Sequence, residues 1–165
     1  AVFPADTVNV YYVILVCCVL HASFEWVRKT LSQFGGDVYH VTIAGGAAAA
    51  ISVSLQRASS LSKNLINAAI GESGAGIKPT LNSIPLADAE KNGLKFDENM
   101  KAGSIAALRA IPAADLLSAA YSQNAPPNAP TIDGYLIPKP LPAIFEAGEQ
   151  AKIPTLVGWN SAEVP

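Results

Sequence analysis

Apolar runs alternate with amphipathic stretches along this chain and predict strands interleaved with helices. Val8–Val16, Tyr39–Ala44 and Ile153–Trp159 are apolar runs rich in β-branched or aromatic residues. They lack a strict two-residue alternation, which is typical of parallel strands buried on both faces. A fourth strand is predicted at Asn67–Glu72, ahead of a Ser-Gly-Ala-Gly turn. The pattern predicts an α/β fold in which helices flank a mostly parallel sheet.

Segments with helical periodicity lie between these strands. Apolar residues recur every three or four positions within Ala22–Gln33, and Gly35-Gly36 is a signal for the end of a helix. Gly45-Gly46 predicts a turn, and Ala47–Arg57, which is rich in small residues, predicts a closely packed helix after it. Three more helices are predicted at Leu86–Asn99, Ser104–Ala110 and Ala113–Tyr121.

The chain has 165 residues, which is the length of one domain. Residues 1–165 are therefore expected to form a single, partial α/β domain. Within it we distinguish an N-terminal strand region at 1–23, a helical insertion at 86–121 and a connection at 122–142 that contains six prolines. The chain ends soon after the last predicted strand with no closing helix, so we expect it to be a fragment of a longer domain.

The charge of the chain argues against a nucleic-acid partner, and the length of its apolar runs argues against a membrane-spanning helix. Only 15% of the residues are charged and the formal net charge is −2, with no strongly basic window, so a nucleic-acid surface is not expected. The longest apolar run, Val10–Leu20, is much shorter than the roughly 20 residues that a membrane-spanning helix needs. It also fits the apolar core of a signal peptide, but Asp6 lies where positive charge is expected.

The cysteines and histidines do not form a metal-binding pattern. Cys17 and Cys18 are adjacent, so in an extended segment they point to opposite faces and are poorly placed to bond each other. We interpret both as small buried apolar residues. His21 and His40 complete no zinc-binding spacing, so no metal is expected, and His40 is interpreted as a surface or capping residue.

Several blocks of sequence resemble the type-B carboxylesterases, the branch of the α/β hydrolases that includes cholinesterases and bacterial para-nitrobenzyl esterases. The blocks follow the family order: Phe34–Asp37, Val41–Gly45, Ser52–Ser54, Leu61–Lys63, Ala69–Ala75, Asp133–Pro138 and Pro154–Glu163. The resemblance implies a partial α/β-hydrolase fold. It also implies a parent protein that hydrolyses small-molecule carboxylic esters through a serine acyl-enzyme, without a metal or organic cofactor.

The family's Gly-Glu-Ser-Ala-Gly motif corresponds here to Gly45, Gly46, Ala47, Ala48 and Ala49. By resemblance, Ala47 stands at the position of the nucleophilic serine, and the backbone N–H of Ala48 stands at that of an oxyanion donor. Gly45 and Ala49 keep the small residues that a sharp nucleophile elbow requires, whereas Gly46 replaces an acidic residue. Because the hydroxyl is missing, no triad catalysis is expected from this chain.

Two further residues are assigned by the same resemblance. Glu163 corresponds to the acid of the family's catalytic triad, although Ala162 replaces the aspartate that precedes it in the family. Ser73 corresponds to a supporting polar residue near the site. Its Gly-Glu-Ser-Gly-Ala context also resembles a G-x-S-x-G motif, so a rival nucleophile is a second interpretation. Neither His21 nor His40 matches the family's catalytic histidine.

Three explanations of Ala47 stay open at this point. An engineered Ser-to-Ala change would explain one position but not the differences at Gly46 and Ala49. Small residues misassigned in the sequence would leave an active esterase, whereas a true non-catalytic relative would act by binding. Since a fragment of a sheet exposes apolar strand edges, we also expect self-association.

Overall fold

The computed structural model describes residues 10–76, 83–127 and 129–163, which fall into two compact units. The larger unit comprises residues 15–76, 83 and 132–163, and the smaller one comprises residues 10–14, 84–127 and 129–131. The helices are α1 (Val10–Thr30), α2 (Ala48–Ala58), α3 (Leu86–Met100), α4 (Ile105–Ala110), α5 (Ala113–Ala120) and α6 (Leu141–Glu146). The strands are β1 (Thr42–Gly46), β2 (Ala68–Glu72), β3 (Ile84–Pro85), β4 (Thr131–Ile132) and β5 (Thr155–Gly158).

The larger unit is built on a three-stranded parallel sheet with the order β1-β2-β5. Gly46 pairs with Glu72, and Glu72 pairs in turn with Gly158, so the three strands end level with one another. The residues that follow these strands consequently meet at one edge of the sheet. Ligand sites of parallel α/β sheets form at this carboxyl edge.

Helix α2 anchors two apolar clusters of the larger unit. Leu55 and Ala58 pack into one cluster and Val53 packs into the other. The first cluster comprises Cys17, Leu55, Ala58, Leu136, Ile137, Leu141 and Ile144. The second comprises Ile43, Val53, Ile66, Ala69 and Ala151. The helix that directly follows β1 is therefore held on both sides.

The smaller unit contains the three predicted helices of the middle of the chain. Helix α3 buries Ala89, Gly93 and Phe96, which recur at helical spacing. Ser104 caps α4, because its Oγ accepts the backbone N–H of Ala107 at 3.1 Å. The predicted helices at 86–121 are thus confirmed to within two residues at each end.

The N-terminal strand prediction is wrong. Residues 10–16 of the predicted strand Val8–Val16 form the start of α1, and residues 8 and 9 lie outside the described part of the chain. A short apolar run does not distinguish a buried strand from a helix. Here the run continues without a break into the amphipathic segment after Ala22, and helix formation is cooperative along such a continuous segment.

The cysteines accordingly lie on a helix. Cys17 is buried, Cys18 is half-buried, and both thiols are free. Burial raises the pKa of Cys17 to about 11, so this thiol stays protonated at neutral pH. The interpretation of Cys17 as a small apolar core residue agrees with its place in the first cluster.

Three local predictions also need correction. Gly45 and Gly46 belong to β1 rather than to a turn, which instead occurs at Ala47. The irregular connection predicted to Pro142 ends two residues earlier, at Pro140, because Leu141 begins α6 and proline is tolerated in the first turn of a helix. Strand β5 was expected to be buried, but all four of its residues are exposed. Within the described residues it pairs with β2 alone.

Residues 10–76, 83–127 and 129–163 contain no helix that is both long and apolar enough to cross a bilayer.

A chain of buried polar groups ties α1 to α2. The Nε2 of Gln56 donates to the backbone carbonyl of Cys17 at 2.8 Å, and the Ser62 hydroxyl donates to Oε1 of Gln56 at 2.5 Å. Ser62 has no second proton, so it accepts a hydrogen bond from Nδ1 of His21, 3.1 Å away. Gln56 and Ser62 are at most 1% exposed, so water cannot replace the hydrogen-bond partners of their polar atoms.

We predict that Gln56→Ala lowers the free energy of unfolding by about 1–3 kcal/mol, because the Ser62 hydroxyl and the Cys17 carbonyl lose their partner inside the protein. Urea denaturation followed by circular dichroism measures the change. The exposed Gln33 provides a matched control, and Gln33→Ala should change stability by less than about 0.5 kcal/mol. Equal losses in the two variants would contradict the prediction.

Candidate functional site

A strained turn joins β1 to α2. Ala47 lies between them with φ 52° and ψ −117°, and its N–H donates to the backbone carbonyl of Glu72 at 2.9 Å. The N–H groups of Ala50 and Ile51 return to the carbonyl of Ala47 and start the helix. A non-glycine residue at such a positive φ costs about 1–3 kcal/mol. The turn therefore depends on the backbone that surrounds it, and it leaves the Ala47 side chain exposed.

Two glycines leave room for this turn. A Cβ on Gly45 would lie 2.6 Å from the carbonyl carbon of Ala49, and a Cβ on Gly74 would lie 2.4 Å from the carbonyl oxygen of Ala47. Either side chain would displace the backbone of the turn. At Gly46, by contrast, the nearest atom to an added Cβ is 4.0 Å away, so this position has space for a larger residue.

The first turn of α2 provides hydrogen-bond donors beside Ala47. Ala48 is the first residue of α2, so its N–H has no hydrogen-bond partner within the helix. The helix dipole adds partial positive charge at this end. Such a donor stabilises an oxygen that develops negative charge, which is the role predicted for Ala48.

The predicted acid lies against the end of β2. Ser73, which follows β2 with φ 55°, donates its hydroxyl to Oε1 of Glu163 at 2.5 Å. The same oxygen accepts the backbone N–H of Asn160 at 2.6 Å and its Nδ2 at 3.2 Å. The Ser73 hydroxyl, followed by the Asn160 backbone N–H, lowers the pKa of Glu163 below its ordinary value. Glu163 is consequently an anion at neutral pH.

This geometry weighs against Ser73 as the nucleophile. Its proton already lies in a hydrogen bond to Glu163, and its N–H donates to the carbonyl of Gly158 at 2.8 Å. A carboxylate with a lowered pKa is a poor general base for an alcohol, because the proton-transfer step is strongly uphill. The supporting role that we predict for Ser73 agrees better with these contacts.

The two histidines are engaged elsewhere. His40 lies in the turn before β1, where its Nδ1 is 2.6 Å from Oδ2 of Asp37 and its side chain is 82% exposed. It is therefore at the amino end of β1, whereas Ala47 follows the carboxyl end. His21 contacts Ser62. Across the described ranges no three His, Cys, Asp or Glu side chains come close enough together to hold a metal ion.

Ser73, Asn160 and Glu163 form a hydrogen-bonded cluster, and Asn160 is its one member not predicted from the sequence. Two of its N–H groups contact Glu163, so it holds the carboxylate as directly as Ser73 does. An asparagine just after a strand and three residues before the predicted acid is a turn signal that could have drawn attention to it.

A shallow cavity of about 300 Å³ lies beside the cluster. Ile70, Leu156 and Trp159 supply apolar walls, while Ser73 and Asn160 supply polar groups. Apolar walls with a few convergent polar groups are typical of small-molecule sites.

The amino-acid sequence was compared with protein families and with known proteins. The sequence matches the carboxylesterase family over residues 20–165. It is 33% identical over 150 residues to fumonisin B1 esterase of Sphingopyxis macrogoltabida and 35% identical over 148 residues to human carboxylesterase 5A. Each alignment covers 86% of this chain, and the chain spans only 26% and 25% of these relatives.

Solved structures agree with the sequence matches. A PNB esterase superimposes with a TM-score of 0.70 at 26% identity, covering 87% of this chain and 32% of the esterase chain. A thermophilic PNB esterase gives a TM-score of 0.71 at the same identity, covering 87% of this chain and 31% of its own. The predicted fold class, a partial α/β-hydrolase fold with a mostly parallel sheet, is thereby confirmed.

We predict that Ala47→Gly raises the free energy of unfolding by about 1 kcal/mol, because glycine adopts a positive φ without the strain that alanine bears. Chemical denaturation of the two proteins measures the difference. Ala49 lies within α2, which begins just after Ala47, so Ala49→Gly should instead lower stability by about 1 kcal/mol. A loss in Ala47→Gly equal to that in Ala49→Gly would contradict the strained turn.

Proposed function

Because this chain belongs to the carboxylesterase family, we propose that its site derives from that of a carboxylic ester hydrolase and that Ala47 stands where the hydrolase has its nucleophilic serine. A methyl group has no lone pair to attack a carbonyl carbon, so this chain does not catalyse ester hydrolysis through a serine triad. The observation that carries the proposal is the elbow itself. Ala47 keeps a strained positive φ between a strand and a helix although it has no hydroxyl to present.

The proposed parent reaction assigns a step to each part of the site. A serine at residue 47 attacks the carbonyl carbon of a small-molecule ester while a base takes its proton. The N–H of Ala48 stabilises the oxyanion, the alcohol leaves with a proton from the base, and water then hydrolyses the acyl-enzyme. All of these steps use amino-acid side chains and backbone groups, without a metal or an organic cofactor.

Glu163 is the proposed acid that orients the base. The support for this role is the uneven use of its two oxygens. Oε1 accepts three hydrogen bonds from Ser73 and Asn160, whereas Oε2 has no partner among residues 10–76, 83–127 and 129–163. The free oxygen of an ionised carboxylate holds an imidazole N–H in the orientation that a general base requires.

A second candidate function is binding without hydrolysis. The missing hydroxyl at Ala47 favours it, since the site keeps its backbone geometry and loses the reactive atom. The cavity beside Ser73, with apolar walls from Leu156 and Trp159, would then hold a ligand that is released unchanged. Recovery of an intact ester after prolonged incubation with the protein distinguishes this candidate from slow hydrolysis.

A fluorophosphonate probe tests the proposal, because it forms a covalent bond with an activated serine. Tandem mass sequencing across residues 42–54 first establishes the residue at position 47. We expect no adduct on the unmodified chain and a slow adduct at residue 47 of Ala47→Ser. Added imidazole, which can accept the proton in place of a histidine, should accelerate this labelling.

Ala44→Ser is the matched control, because Ala44 is an exposed residue of β1 outside the elbow. This variant should stay unlabelled with and without imidazole. An adduct at Ser73 of the unmodified chain would place the nucleophile there instead. Failure of Ala47→Ser to react even with imidazole would show that residue 47 is not a nucleophile position.

A further inference from the structure

The segment after β5 folds back so that its first residues contact the predicted acid. Asn160 and Glu163 are three residues apart, and both the backbone N–H and the Nδ2 of Asn160 lie within 3.2 Å of Oε1 of Glu163. One residue thus contributes two donors to a single carboxylate oxygen. Charge-assisted bonds of this kind are stronger than bonds between neutral groups.

Glu163 is also held by Ser73, the residue that follows β2. Ser73 supplies the third donor to Oε1, and its own N–H binds the carbonyl of Gly158, where β5 ends. Asn160 therefore approaches the carboxylate from the β5 side and Ser73 from the β2 side. With three donors on Oε1, rotation of the carboxylate to exchange its oxygens would break every one of these bonds.

The side chain of Asn160 donates a hydrogen bond to Glu163 without adding a charge beside its carboxylate. Nδ2 of asparagine is a neutral donor, whereas an aspartate would bring a second anion to 3.2 Å from Glu163. Trp159, the neighbouring residue, is 79% exposed and makes no hydrogen bond to the carboxylate in the described structure.

We propose that Asn160 is a positioning residue. Together with Ser73 it holds Oε1 of Glu163, so that Oε2 alone is presented to the base. This inference rests on the proposed role of Glu163 as the acid of the hydrolase site. Its test follows the ionisation of Glu163 and needs no hydrolysis, so its outcome is independent of the labelling of residue 47.

The pKa of Glu163 is measured by carbon-13 NMR of the glutamate carboxyl carbons during a pH titration, and Glu163→Gln identifies the resonance. Ser73→Ala should raise this pKa most among the alanine variants, because it removes the 2.5 Å bond. Asn160→Ala should raise it less, since the 3.2 Å bond of Nδ2 is lost and the backbone N–H remains. Asn160→Asp should raise it further than Asn160→Ala because of the added negative charge.

Asn64→Asp is the matched control, because Asn64 is an exposed residue before the amino end of β2. It should leave the pKa of Glu163 unchanged. Circular dichroism checks that each variant is folded, and Asn160→Ala carries the test if Asn160→Asp does not fold. An unchanged pKa in the folded Asn160 variants, with a raised one in Ser73→Ala, would reduce Asn160 to a turn residue and overturn the proposal.

Discussion

The hydrogen bond from the N–H of Ala47 to the carbonyl of Glu72 is the constraint on which the site depends. It joins the end of β1 to the end of β2 and helps to hold Ala47 at a positive φ. Residue 73 follows Glu72 directly, so the same bond fixes the point at which Ser73 leaves β2. Gly74 then passes so close under the carbonyl of Ala47 that no side chain fits there. The strained turn at Ala47 and the path of the chain through Ser73 and Gly74 are thus two consequences of one backbone arrangement.

This arrangement separates the shape of the site from its chemistry. The shape comes from backbone hydrogen bonds, from the parallel register and from the absence of side chains at Gly45 and Gly74. The chemistry of a hydrolase would come from a hydroxyl that Ala47 does not have. The strained turn is therefore present without a hydroxyl at residue 47, and the positive φ of Ala47 is strain with no reactive group to orient.

The strand–helix–strand core could be predicted from the sequence because its signals are local. The apolar run before Gly45, the small residues of α2 and the turn after Glu72 each indicate their own element. The first apolar run could not be assigned, since Val10–Val16 has no periodicity that distinguishes a strand from the helix that α1 forms. The exposure of β5 depends on which elements cover it, and no local pattern carries that information.

The candidate site shows the same division. Ala47 and Glu163 could be proposed from the sequence because short motifs mark them, but the contacts of Asn160 arise from the way the chain turns after β5. The most direct test of the separation between shape and chemistry is the backbone angle φ of Ala47 in solution. A strong intraresidue cross-peak between its amide and α protons in an NOE spectrum, similar to that of Ser73, is the result we predict, because both residues have a positive φ. The weak cross-peak of an ordinary helical residue at Ala47 would contradict it and would mean that residue 47 does not hold a positive φ in solution.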